Sequence, residues 1–112
     1  MNVYDTVNKL AQEIKESEEY VNFKMAKQVI GMNIEYKNKI TEFEKARYEE
    51  QLIEMQTGKQ DIEKLNNIQQ MYKELIEIEE IRKYFDAELK FNVLLGDVNK
   101  IISEAVKDIF VD

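Results

Sequence analysis

The chain of 112 residues has no cysteine, no histidine and no proline, only three glycines, and only two arginines, Arg47 and Arg82. Each shortage removes a class of function or fold. Without cysteine there is no disulfide, no thiolate metal site and no iron–sulfur ligation from within the chain, and a reducing, cytoplasmic compartment is expected. Without histidine the usual general base, the commonest transition-metal ligand and every Ser/His or Cys/His nucleophilic pair are missing. With no proline, and with Gly31, Gly58 and Gly96 far apart, few positions force the backbone out of a helix. The glycine spacing offers neither a GxGxxG turn nor a phosphate loop, so no nucleotide cradle is visible.

Positive charge is also scarce. The formal net charge is −7, with 8 basic against 11 acidic residues up to Gln56 and 8 against 12 after it. A nucleic-acid binder displaces counterions with clustered Lys and Arg, and neither half carries such a cluster. Direct binding of RNA or DNA is therefore not expected. The longest uninterrupted aliphatic run is Val93-Leu94-Leu95, and Met1 to Asp5 has no basic stretch leading into an apolar one. Neither export nor membrane spanning is predicted.

Hydrophobic residues at 44% and charged residues at 35% make the balance of a folded, highly charged helical protein rather than of a disordered chain. The length suits a single helical domain, residues 1–112, which as a monomer would bury only about two-thirds of the surface its unfolded form exposes. Periodicity then places the helices. Val3, Val7, Leu10 and Ile14 alternate steps of four and three, predicting a first helix to about Lys15. Ser17 followed by Glu18 and Glu19 reads as an N-cap with acidic residues opposing the helix dipole. The second helix should turn Tyr20 or Val21, Met25, Val29 and Ile30 inward, with Gly31 as its left-handed cap.

Asn33 reads as the N-cap of a long third helix, Ile34 to about Met55. Its stripe starts at Tyr36, Ile40 and Phe43 and resumes at Leu52, Ile53 and Met55. The middle turn with Arg47, Glu49 and Glu50 should be exposed or meet a partner through polar contacts. Thr57-Gly58-Lys59 predicts a chain reversal. Asp61 can cap a fourth helix carrying Ile62, Leu65, Ile68 or Gln69, Tyr72, Leu75 and Ile76, to about Ile78. Glu79-Glu80 forces no stop, so the fourth helix and the last segment, Ile81 to about Ile109, read either as two helices or as one bent one. The expected fold is all-α, four to five helices, with no strand.

Chemistry has few candidates. The densest carboxylate groups are Glu49, Glu50, Glu54 and Glu77, Glu79, Glu80, and an all-oxygen metal site or an acid–base pair is what such groups could supply. Helical di-metal bundles pair their carboxylates with a Glu-x-x-His motif, absent here, and runs of Glu in charged helices are ordinarily solvated faces. No catalytic, cofactor or metal residue is therefore assigned. The rival reading is a small-ligand carrier, metal binder or enzyme using buried carboxylates and tyrosines. The eleven aromatics, six Tyr and five Phe, fall at helical spacing without interleaved basic residues and read as core. The methionines suit gap-filling or an adaptable interface.

One feature exceeds ordinary packing. Phe91, Leu95, Val98, Ile102, Ala105 and Ile109 follow strict four–three steps, and Leu94 and Ile101 widen the face. A short chain has too few helices to cover a face of that width alone. Phe91, Leu94, Leu95, Val98, Ile101 and Ile102 are thus the candidate dimer or partner interface. Glu88 stands where the pattern extrapolates backwards, either at the edge of the seam or in solvent. Gly96, inside this helix, offers room for close approach of a neighbouring helix.

Val3-Tyr4-Asp5, the stretch ending Met55-Gln56-Thr57-Gly58-Lys59, and Phe85-Asp86-Ala87-Glu88-Leu89-Lys90-Phe91 followed by Asp97-Val98 and Ile101-Ile102 together resemble the YlbF/YmcA family of small bacterial helical proteins, most closely its YheA-like branch. The resemblance runs over essentially the whole chain. It implies an elongated antiparallel helical bundle that dimerises, and a non-enzymatic adaptor role in a complex that influences ribonuclease Y-dependent RNA processing, and through it competence, sporulation and biofilm formation. Family members in that complex are associated with iron–sulfur clusters held by cysteines, and a chain without cysteine cannot carry that cofactor over. The partners expected are a second copy of the chain and an unidentified protein.

Overall fold

A computed structural model describes residues 2–110. These form five helices, α1 (Val3–Glu16), α2 (Glu18–Gly31), α3 (Ile34–Thr57), α4 (Ile62–Ile76) and α5 (Glu79–Phe110), with no strand among the described residues. The chain gathers into two compact units. One contains the residues up to Ala26 and those from Phe85 onward, and the other is Lys27–Tyr84.

Local chemistry sets the helix ends. Asn2 accepts the Tyr4 N–H at 2.8 Å and starts α1. Ser17 serves two helices at once: its hydroxyl donates to the Ile14 carbonyl at 2.6 Å, closing α1, and accepts the Tyr20 N–H at 3.2 Å, opening α2. That satisfies backbone groups which helix termini otherwise leave unpaired. Asn33 accepts the Tyr36 N–H at 3.1 Å, and Asp61 accepts the Lys64 N–H at 3.1 Å, as expected for the caps of α3 and α4. The reversal between these helices is made by Gly58, whose φ of 73° lies in the left-handed region that glycine enters without steric cost. Its N–H donates to the Glu54 carbonyl at 2.8 Å.

Gly31 departs from expectation. Gly58 is the one described residue with a positive φ, and Gly31 is the last helical residue of α2. The helix closes instead through the N–H groups of Met32 and Asn33, which bond to the carbonyls of Val29 and Ile30. Three-residue bonds of this kind tighten a last turn without a left-handed residue.

In the Lys27–Tyr84 unit, α3 packs on α4. Phe43 and Tyr72 meet with ring centroids 5.9 Å apart, and Ile30, Ile40, Leu75, Ile81 and Tyr84 are buried. The middle turn of α3 holds a surprise. Arg47 and Glu49 are exposed as predicted, but Glu50 is buried at 3% exposure and neither carboxylate oxygen has a hydrogen-bond partner among the described residues. Met55 and Ile62, expected inside, are exposed at the helix ends beside the reversal, where there is little to pack on.

Glu77 and Ile78 separate α4 from α5, so these are two helices rather than one bent helix. α4 therefore stops two residues short of its expected end. The Ile78 N–H reaches the Leu75 carbonyl, and the Arg82 guanidinium donates to the Ile76 carbonyl at 3.0 Å.

In the other unit, Phe91 of α5 packs against two rings of α2, meeting Tyr20 edge-on and Phe23 at a tilt, each with centroids 5.8 Å apart. The inward face of α2 therefore runs through Tyr20, Phe23 and Ala26, which are half-buried, while Val21, Met25 and Val29 are exposed. Among the described residues of this unit, Ala87 is the one that is buried, and α1 buries none.

Candidate interaction surface

α5 is a 32-residue helix, and at 3.6 residues per turn Phe91, Leu95, Val98, Ile102 and Ile109 fall along one stripe, with Leu94, Ile101 and Ala105 on one flank and Val106 on the other. Asp97, Lys100, Glu104 and Lys107 lie on the opposite side. There Lys107 pairs with Glu104 at 2.9 Å. The helix is thus amphipathic to its last described turn.

Burial fades along the stripe. Phe91, Leu94, Leu95 and Val98 are half-buried, whereas Ile101 is 69% exposed, Ile102 52% and Ile109 79%. The six residues singled out in the sequence therefore divide. Phe91 gives its ring to Tyr20 and Phe23 of its own chain, Leu94, Leu95 and Val98 are partly covered, and Ile101 and Ile102 begin the open part. The open part continues along the stripe through Val106 and Ile109, beyond the six candidate interface residues, and Phe110 beside them is exposed as well. Glu88 is half-buried.

α1 shows the same gradient. Leu10 and Ile14 are half-buried, whereas Val3, Tyr4 and Val7 are exposed. α1 and α5 thus both carry apolar residues that their own chain leaves exposed.

Gly96 lies away from the stripe. A Cβ built there meets nothing within 4 Å, so the expected close approach of a neighbouring helix is not made among the described residues.

The carboxylate groups are not gathered into a centre: among the described residues no three His, Cys, Asp or Glu side chains stand where they could hold a metal ion together. Among those residues, too, no helix is long and apolar enough to cross a membrane.

Residues 3–107 match the family described as control of competence regulator ComK, YlbF/YmcA. The chain belongs to the YlbF/YmcA family. A UPF0342 protein of Clostridium novyi is 37% identical over all of this chain and 98% of its own length. Another, from Desulfitobacterium hafniense, is 33% identical over 97% of this chain and 88% of its own length. A third, from Symbiobacterium thermophilum, is 36% identical over 93% of each. The YlbF/YmcA match takes in all five helices, and it ends at Lys107, within the uncovered part of α5.

Proposed function

We propose that this YlbF/YmcA chain is a non-enzymatic adaptor of the YheA-like branch. It works in the bacterial cytoplasm as a homodimer, with residues 1–112 acting as one functional module. The family's description, control of a competence regulator, supports a regulatory role. The finer reading is that the dimer docks a further protein in a complex that affects RNA processing, competence, sporulation or biofilm formation.

The observation that carries the proposal is the shortage of buried residues in the unit holding α1 and the distal part of α5. Helices gain most of their stability from packing an amphipathic face, and here two such faces stand open. The interface includes Phe91, Leu94, Leu95, Val98, Ile101 and Ile102 and continues to Ile109. Val3, Tyr4 and Val7 of α1 and Ile101, Ile102, Val106, Ile109 and Phe110 of α5 are all exposed, and together they are the surface offered to an interface that typically buries about 800 Å² on each partner. Burying a Leu or Ile side chain stabilises by about 1.5–3 kcal/mol, so these few residues outweigh moderate ordering costs.

The test is to place Asp at Ile102 and Ile109 together. The expected product is a helical protein that sediments as one chain where the wild type sediments as two. An unchanged mass would refute this interface.

A further inference from the structure

The groove between α3 and α4 has a different chemistry from the rest of the molecule. A recess of about 280 Å³ opens there, lined by Phe43, Arg47, Ile68, Gln69, Tyr72 and Lys73. Phe43, Ile68 and Tyr72 form an apolar floor, and two cations stand at its edge. No carboxylate lines it, in a chain whose net charge is −7. Two other recesses of the same unit differ: Lys39 shares one with Glu42 and Glu74, and Lys27 and Lys37 share the other with Glu44.

The cations are uncommitted. Four lysines, Lys39, Lys83, Lys90 and Lys107, each lean onto a carboxylate one turn away. Arg47 and Lys73 make no ion pair or side-chain hydrogen bond among the described residues. Arg47 lies with its guanidinium carbon 5.6 Å from the centre of the Phe43 ring, a cation–π contact that restrains it over the apolar floor while its N–H donors stay unbonded. Glu50, one turn further along α3, is buried and unpaired and does not neutralise it.

We propose that this groove is a docking site for a short acidic segment of a partner protein, one that sets an aromatic or aliphatic side chain on Phe43, Ile68 and Tyr72 and carboxylates on Arg47 and Lys73. Charge complementarity selects the class. Two cations on a strongly acidic chain are too few to hold a polyphosphate backbone, which needs several contacts to displace counterions. They suffice for one or two carboxylates, and a guanidinium binds a carboxylate through paired N–H donors. The recess has room for about one large side chain, at the small end of ligand pockets. The site lies wholly within the Lys27–Tyr84 unit and does not depend on self-association through α5.

A random peptide library selected on the purified full chain tests this. Selection should enrich peptides with Asp or Glu next to Phe, Tyr, Trp or Leu. Synthetic versions should bind more weakly as salt rises, and should lose about tenfold in affinity with Arg47→Gln plus Lys73→Gln, the loss expected of removed charge-assisted contacts. Both positions are exposed, and circular dichroism would verify that the double variant remains helical. Ile102→Asp, in the α5 surface, should leave peptide affinity unchanged. The proposal is overturned if no peptide is enriched, if the enriched peptides lack acidic residues, if their affinity ignores the double substitution, or if phosphorylated peptides or oligonucleotides compete better than carboxylate peptides.

Discussion

The guanidinium of Arg82, in the first turn of α5, donates a hydrogen bond to the carbonyl of Ile76, the last residue of α4, at 3.0 Å. It reaches back over the joint to a carbonyl that the end of α4 leaves without a helical partner, and it places a positive charge at the negative end of the helix dipole. No glycine or proline is present to make this break, so the Arg82 side chain helps to stabilise it.

Arg82→Ala should therefore lower stability by about 0.5–1.5 kcal/mol, the net value of one such hydrogen bond. A thermal melt followed by circular dichroism would register this as a drop of several degrees, and an unchanged midpoint would mean that the bond contributes nothing.

Glu50 supplies a prediction of opposite sign. A buried carboxylate with no hydrogen-bond partner among the described residues is costly, because folding removes its hydration without replacing those bonds. Glu50→Leu, similar in volume and without polar atoms, should stabilise the chain by about 1–3 kcal/mol. Urea unfolding would measure the gain. A clear loss would show that Glu50 has a compensating partner in solution.

The glycines separate by backbone. Gly58 has φ 73°, so Gly58→Ala should cost about 1 kcal/mol or more, as a side chain in the left-handed region does. Gly96 is mid-helix with open space around its missing Cβ. Gly96→Ala should stabilise by about 0.5–1 kcal/mol, and because Gly96 lies off the apolar stripe it should leave the oligomeric state unchanged. Paired melts of the two variants would show shifts of opposite sign.

Much of this fold was legible because its signals are local. Ser17, Asn33 and Asp61 cap their helices through side-chain geometry confined to four residues, and Gly58 breaks the chain where only glycine is comfortable. What depended on tertiary contact was not legible. Phe23 and Met25 both sit at helical spacing on α2, and only the position of Phe91 decides which of them turns inward. The burial of Glu50 has no periodic signature, since a charged residue in a weak stretch of the pattern reads as solvent-facing. The α5 stripe was readable as a stripe, but how far its own chain covers it depended on where Tyr20 and Phe23 come to rest.

Self-association is the central claim, and the mass of the wild-type chain in solution tests it most directly. Sedimentation equilibrium from low to high micromolar concentration should fit a species of twice the 13.4 kDa chain mass, dissociating only at the dilute end if at all. A single species of 13.4 kDa at high micromolar concentration would contradict the account, because the open faces of α1 and α5 would then be stable in water without a second copy.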